Sequence, residues 1–156
     1  MTDLMITFIA SFLIWFMFVG IVISWQMHGK MKKEHVVYAF LASLLAFVIS
    51  QSIKIIFPTI RPFESQGLIP LTLTIPTDSS FPSGHASAAF ALAISVKRHD
   101  KKMGFYYLII ALVVSMGRVL SNVHYYRDII GGAFIGGLSV FILDRFRERK
   151  HLRLDS

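Results

Sequence analysis

The sequence predicts an all-α integral membrane protein, a single domain over residues 1–156 built as a helical bundle with about five transmembrane helices. Hydrophobic residues make up 54% of the chain, and the mean hydropathy is +0.62, which is more than a soluble domain needs. The apolar residues form blocks separated by short polar segments, as in multi-span membrane proteins. Basic residues cluster in alternate connections, which is typical of the cytoplasmic side of a bilayer.

The first apolar block covers 22 residues, 4–25, and as a helix of about 33 Å it can cross the hydrocarbon core. It follows Asp3 without a basic segment and is too long for the apolar part of a signal peptide, so we interpret it as a retained span. The second block covers residues 36–57. Both blocks predict transmembrane helices.

The third block, residues 83–96, is short and rich in Ala, Ser and Gly. Small residues let helices approach closely, so we expect this helix to pack among its neighbours rather than to face lipid. The fourth and fifth blocks cover residues 104–120 and 129–143. Glycine pairs in the fifth block, at 131–132 and 136–137, fit close packing inside the monomer as well as dimerisation.

Twelve of the 16 Lys and Arg residues lie between blocks one and two, between blocks three and four, or after block five. The positive-inside rule places these segments in the cytoplasm, with the N-terminus outside and the C-terminus inside. Membrane orientation therefore accounts for the net charge of +7, and we expect no nucleic-acid partner. The absence of cysteine excludes disulfides and thiolate metal sites.

Three polar segments with reactive side chains emerge together on the outer side of the membrane in this topology. The first ends the second block, the next opens the third block, and the last connects the fourth block to the fifth. Although these segments lie far apart along the chain, the topology allows their side chains to converge. The candidate site residues are Lys54, Arg61, Ser83, Gly84, His85, Arg118, His124 and Asp128.

The cations among these residues suit phosphoryl transfer, whose transition state spreads negative charge over equatorial oxygens. Arg offers a planar fork to phosphate and Lys a compact charge. Lys54 stands inside an apolar block, so it either faces a polar cavity or snorkels to the interface. We expect Pro82 in the first turn of a helix, where the N–H groups of Ser83, Gly84 and His85 would form an anion site.

The two histidines of the set suit two different roles in such a reaction. His124 and Asp128 are spaced i, i+4, so a helical turn would place them on one face. The carboxylate would then fix the tautomer of the ring and leave the other nitrogen free to attack. His85 remains available as the general acid for the leaving oxygen.

Together the three segments resemble the signature of the type 2 phosphatidic acid phosphatase family, which shares its site with the vanadium haloperoxidases. That signature is K-x6-RP, then PSGH, then SR-x5-H-x3-D. This chain reads KIIFPTIRP, PSGH and GRVLSNVHYYRD, with Gly117 where the family usually has Ser. The matching motifs span residues 54–128, and their combination is specific.

The resemblance implies a role for each matching residue. His124 would attack phosphorus and form a phosphohistidine, Asp128 would orient it, and His85 would protonate the leaving group. Gly117 removes one possible hydroxyl donor to phosphate and is expected to alter rate or preference. No metal and no other cofactor is implied, because cations take that role. The implied phosphate ligands are Lys54, Arg61, Arg118, Ser83 and the N–H of Gly84.

The function implied by the resemblance is hydrolysis of a lipid phosphate or diphosphate at the outer face of the cell membrane, with membrane lipids as the surroundings. Undecaprenyl diphosphate is the substrate that we favour. Phosphatidylglycerophosphate, phosphatidic acid and lipid A are alternatives within the same chemistry. A lipid phosphotransferase and a non-catalytic membrane protein that binds anionic headgroups are the alternatives of other classes.

Three further features of the sequence have competing interpretations. A metal site at His85 and His124 is disfavoured, because a suitable third ligand is missing beyond Asp128 and the cations would repel a metal ion. Residues 78–80 are interpreted as a polar turn before a helix rather than as substrate contacts. The apolar segment 68–75 is either a lid near the site or a cover over the bundle.

Overall fold

The computed structural model describes the backbone of residues 2–28 and 31–154, and the side chains of residues 2–27 and 31–148. All regular structure in these ranges is helical, which confirms the predicted all-α class. The helices are α1 (Thr2–His28), α2 (Lys33–Ile56), α3 (Pro62–Gln66), α4 (Gly84–His99), α5 (Lys101–Leu120) and α6 (Tyr126–Leu154).

Four helices, α1, α2, α5 and α6, are long and apolar enough to cross a membrane. They correspond to the first, second, fourth and fifth predicted blocks. The third block forms α4, which has 16 residues and a length of about 24 Å. The chain is therefore a multi-pass membrane protein, with one shorter helix inside a bundle of longer ones.

Helix α4 lies at the centre of the bundle, as its small residues predicted. Helices α2, α5 and α6 pack against it, while α1 packs mainly against α5. Because alanine and serine project little from the helix, the surrounding backbones can approach α4 closely. Its buried residues are Gly84, Ala86, Ser87, Ala88, Ala89, Ala91, Leu92, Ala93, Ser95 and Val96.

Two helical features differ from the sequence-based expectation. Helix α6 continues past the predicted end at residue 143 to Leu154, and an i, i+3 ion pair between Arg145 and Glu148, at 3.5 Å, stabilises this polar extension. Hydropathy marks where a helix leaves the hydrocarbon and not where it ends. The short helix α3 was not predicted, since five residues are too few to show a helical period. Gly67, at φ 64°, ends it.

The glycines of α6 pack against α4 inside the monomer. A Cβ at Gly132 would lie 2.8 Å from the Ser83 carbonyl oxygen, and one at Gly136 would lie 2.8 Å from the Ser87 carbonyl oxygen. A Cβ at Gly137 would meet only the Ile94 side chain, at 3.8 Å. Close packing within the chain thus explains the position of Gly132 and Gly136 without a second copy.

Replacing Gly136 by Ala should separate α4 from α6, because the added methyl group meets backbone atoms that cannot rotate away. We expect a loss of stability of about 1–3 kcal/mol, as for other overpacked sites. The matched control is Gly137→Ala, which has room for the methyl group and should cost little. Thermal unfolding in detergent measures both variants, and equal stability would show that the close contact at Gly136 is absent.

Candidate active site

The three polar segments meet at one end of the bundle, where α2 and α5 end and α4 and α6 begin. Arg61, after α2, donates from Nη1 to the carbonyl oxygen of Val123, after α5, at 2.7 Å. The N–H of Ser83, before α4, donates to the carbonyl oxygen of Asp128 in α6 at 3.0 Å. Residues from distant parts of the sequence therefore share one buried polar region.

His124 lies in the loop between α5 and α6, and not on a helical turn as predicted. The positive φ of Asn122, 62°, turns the chain after α5, and α6 begins only at Tyr126. Asp128 nevertheless reaches back from the first turn of α6, so that its Oδ2 lies 3.3 Å from Nδ1 of His124. The predicted pairing is thus made by a capping geometry rather than by a shared helical face.

The carboxylate of Asp128 is fully buried and held by several donors. Its Oδ2 accepts a hydrogen bond from Ser80 Oγ at 2.6 Å and from the N–H of Tyr125 at 2.9 Å. Its Oδ1 meets no hydrogen-bond donor in the described part of the chain and lies 3.7 Å from Nε of Arg127. When Nδ1 of His124 carries the proton toward this carboxylate, Nε2 keeps its lone pair for attack.

Ser80 helps to position the Asp128 carboxylate, a role that the sequence interpretation missed. It was assigned to a polar turn, and no periodic pattern distinguishes it from its neighbours. Its hydroxyl acts through Asp128, because the 2.6 Å hydrogen bond fixes the carboxylate that orients His124. Only the folded path of the loop before α4 brings this hydroxyl to the start of α6.

Arg61 is 1% exposed and directs its donors mainly at the protein. Its Nε donates to the carbonyl oxygen of Asp78 at 2.8 Å, and its Nη2 donates to Oδ1 of Asp78 at 2.7 Å and to the carbonyl oxygen of Ser79 at 3.2 Å. Its Nη1 lies 3.4 Å from Nε2 of His124. A predicted phosphate ligand thus stands beside the predicted nucleophile.

Lys54 is buried in the last turn of α2 and does not snorkel outward. Its Nζ lies 2.5 Å from Oδ2 of Asp78. Burial raises the pKa of Asp78, but the hydrogen bond and charge of Lys54, together with Arg61, bring that pKa below its usual value. Asp78 is the second residue that the polar-turn interpretation missed.

Arg118 lies in the last turn of α5 and contacts α1. It is 6% exposed, and its Nη1 donates to the carbonyl oxygen of Ala10 in α1 at 3.0 Å. Among the described residues no acceptor meets its buried Nε. The neighbouring Gly117 explains this contact, because a Cβ there would lie 2.7 Å from Cγ2 of Ile9 and 3.2 Å from the Ala10 nitrogen. The glycine makes room for α1.

The start of α4 differs in detail from the predicted anion site. Pro82 lies before the helix, and Ser83 occupies the N-cap, where its Oγ accepts from the N–H of Ala86 at 3.4 Å. The N–H of Ser83 is not free, since it bonds to Asp128. The prediction of a helical Pro82 and a free Ser83 N–H was therefore wrong, because Ser83 is itself the N-cap and the helix begins only at Gly84. Gly84 and His85 begin the helix, where N–H groups lack intrahelical partners.

The electrostatic environment keeps His124 neutral. Burial lowers the pKa of His124 to about 4, the hydrogen bond to Asp128 partly opposes this, and the charges of Arg118, Arg61 and Lys54 lower it further. His85 lies within electrostatic range of the same three cations and of His124. An uncharged imidazole among cations is the form that a nucleophile requires.

An apolar cavity of about 800 Å³ lies between α1, α2 and α4. It reaches Gly84 and His85 at the start of α4, and Trp15, Phe40 and Phe47 form part of its wall.

A second apolar feature, the segment 68–75, covers the same end of the bundle as the start of α4. The N–H of Leu71 donates to the carbonyl oxygen of Ser121, and the N–H of Leu73 donates to Oγ of Ser11 in α1.

Comparisons with known proteins show which family and which relatives the chain resembles. The model of the PAP2 superfamily matches residues 35–151. The chain is 27% identical over 143 residues to the bacitracin transport permease protein BcrC of Bacillus licheniformis, covering 92% of this chain and 70% of that protein. It is 27% identical over 124 residues to the undecaprenyl-diphosphatase BcrC of Bacillus subtilis strain 168, covering 80% and 64%.

A solved structure is also similar. The crystal structure of LpxE from Aquifex aeolicus superposes with a TM-score of 0.73 at 26% sequence identity, covering 90% of this chain and 84% of that one. The similarity therefore extends over nearly the whole chain.

Gly117→Ser would install the usual family residue, yet we expect it to lower phosphatase activity by about 10- to 100-fold. The new side chain would push α1 away and remove the Ala10 carbonyl from Arg118. Adding Ile9→Ala, which clears the nearest contact, should recover part of the activity. Phosphate release from lipid phosphates is the measurement, and higher activity in the single variant would contradict this account.

The lowered pKa of His124 predicts a pH dependence of stability. The unfolded side chain binds a proton near its ordinary pKa of 6.5, whereas the folded one does so only at about 4. Stability should therefore fall as the pH decreases through this window, because the unfolded state gains the proton first. His124→Gln should show a weaker decrease between about pH 7 and about pH 5 in thermal unfolding. Equal slopes for the two proteins would refute the assignment.

Proposed function

The chain belongs to the PAP2 superfamily, and we propose that this membrane phosphatase hydrolyses a lipid diphosphate at the outer face of the membrane, with undecaprenyl diphosphate as the favoured substrate. The observation that carries the proposal is the geometry of the buried His124, whose Nδ1 lies 3.3 Å from Asp128 and whose Nε2 lies 3.4 Å from Nη1 of Arg61. One curated relative is named undecaprenyl-diphosphatase. Phosphatidylglycerophosphate, phosphatidic acid and lipid A are the alternative substrates.

In the first step of the proposed reaction, Nε2 of His124 attacks phosphorus. Asp128 accepts a hydrogen bond from the N–H at Nδ1 and stabilises the positive charge that develops on the ring, without taking the proton itself. Arg118 offers free donors to the phosphoryl oxygens, Lys54 adds charge, and the first N–H groups of α4 add a helix N-terminus. Fixed donors of this kind stabilise the transition state without reorganising.

His85 handles the proton in both steps. As the N–P bond forms and the P–O bond breaks, the leaving oxygen takes a proton from His85. In the second step a water molecule attacks the phosphohistidine and gives its proton to His85, and the N–P bond breaks to release inorganic phosphate. The position of His85 at both the cationic region and the cavity suits a residue that meets the leaving group.

The apolar cavity favours a lipid substrate over a soluble phosphate ester. Its wall comes from α1, α2 and α4 and includes His85. A lipid chain in this cavity would place its first oxygen beside the proposed acid, while the phosphate faces Arg118 and Lys54. The burial of the chain would supply binding energy that a soluble ester lacks.

The charge distribution supports an extracytoplasmic site. Of the 16 Lys and Arg residues in the sequence, four belong to the segments of the site: Lys54, Arg61, Arg118 and Arg127. The other twelve lie where α1 is followed by α2, where α4 is followed by α5, or in the C-terminal part of the chain. The positive-inside rule assigns the end of the bundle with more Lys and Arg residues to the cytoplasm. The N-terminus of α1 then lies outside, on the same side as His124.

We expect His124→Ala to lose phosphate release by about 10⁴-fold or more, because the proposed reaction has no other nucleophile. A panel of undecaprenyl diphosphate, phosphatidylglycerophosphate, phosphatidic acid and lipid A in detergent identifies the substrate, and a chelator should have little effect. His35→Ala at the opposite end of the bundle is the control for histidine loss. Full activity in His124→Ala would exclude the mechanism, and labelled phosphate appearing on another lipid would indicate a phosphotransferase.

A further inference from the structure

Asp78 bridges two cations of the candidate site with its carboxylate. Oδ2 lies 2.5 Å from Nζ of Lys54, and Oδ1 lies 2.7 Å from Nη2 of Arg61. The two cations are almost completely buried, whereas the Asp78 side chain is 42% exposed. A partly exposed carboxylate thus occupies two groups that the phosphate of a substrate would need.

The hydrogen bonds of Arg61 show why this occupation matters. A guanidinium has five N–H donors, and those of Arg61 are directed at the Asp78 carbonyl, the Asp78 carboxylate, the carbonyls of Ser79 and Val123, and Nε2 of His124. The backbone acceptors are fixed by the loops. Of the oxygen acceptors that the described residues offer to the guanidinium of Arg61, only the Asp78 carboxylate can leave by rotation of a side chain.

A carboxylate and a phosphate present similar oxygen pairs to Arg and Lys. The two oxygens of Asp78 therefore stand where two phosphate oxygens would be bound. Resting on the proposed function, we propose that Asp78 is an internal competitor for the phosphate site, which occupies Lys54 and Arg61 until the phosphate of the substrate displaces it into water. The backbone carbonyl of Asp78 stays bonded to Nε of Arg61 during this exchange.

This competition sets the class of headgroup that the site accepts. The phosphodiester of a bulk phospholipid carries one negative charge, so it gains little by replacing another monoanion. A terminal phosphate or diphosphate carries more charge and more free oxygens, and it displaces the carboxylate favourably. Asp78 thereby keeps the cations from binding the abundant lipids of the surrounding membrane.

The test compares binding of inorganic phosphate to purified wild-type protein and to Asp78→Asn in detergent. The amide keeps the shape of the side chain but removes its charge, so we expect phosphate to bind about tenfold more tightly. Inhibition of turnover by vesicles of phosphatidylglycerol, a monoanionic phosphodiester, should also increase. Glu64→Gln is the matched control, since it removes one negative charge from the same connection between α2 and α4, and the Glu64 side chain contacts the backbone N–H of Arg61 rather than its guanidinium.

Asp78→Ala is the second variant and should give the same direction of change. Unchanged or weaker phosphate binding in either folded variant would overturn the proposal, and so would failure of both variants to fold, because Asp78 would then be a structural requirement. Phosphate binding needs no turnover, so the result is separate from the test of function. A wild-type protein that binds phosphate but releases none from any lipid would contradict the proposed function alone.

Discussion

The enclosure of three cations at the end of a membrane bundle is the constraint on which the rest of this structure depends. Lys54, Arg61 and Arg118 are each less than a tenth exposed, and a charge removed from water is costly unless nearby groups replace its hydration. The acceptors come from three parts of the chain: a carboxylate and two carbonyls from the loop before α4, one carbonyl from the loop after α5, and the Ala10 carbonyl from α1. The paths of the loops are therefore constrained by the need to supply these acceptors to the buried cations.

The close packing of the helices serves the same constraint. Ser83 contacts both α4 and α6, since it caps one helix and bonds to the Asp128 backbone in the other. The start of α4 can lie this close to α6 because Gly132 has no side chain and leaves space for the Ser83 carbonyl. A larger residue in α6 would move Asp128 relative to the start of α4, and the orientation of His124 would change with it. The geometry of the site thus depends directly on the packing of α4 against α6.

Much of this architecture could be predicted from the sequence, and the failures have physical causes. Hydropathy predicted the spanning helices, and small residues predicted the central position of α4, because both signals extend over many residues. Asp78 and Ser80 were assigned to a turn, since their partners are set by tertiary contacts that leave no local pattern. The i, i+4 spacing predicted the contact of His124 with Asp128 but not its loop geometry, because a capping carboxylate reaches the same distance without a helical turn.

The contact between Arg118 and α1 makes the position of this arginine depend on the position of α1 in the membrane. The acceptor is the backbone carbonyl of Ala10, so many side chains at that position would supply it equally well. What matters is the depth of α1 in the bilayer, since a shift of one turn would move the carbonyl by about 5.4 Å. Helices adjust tilt and depth to the thickness of the hydrocarbon layer. A change in membrane thickness would therefore reach Arg118 through a helix that lies outside the matched family segment, residues 35–151.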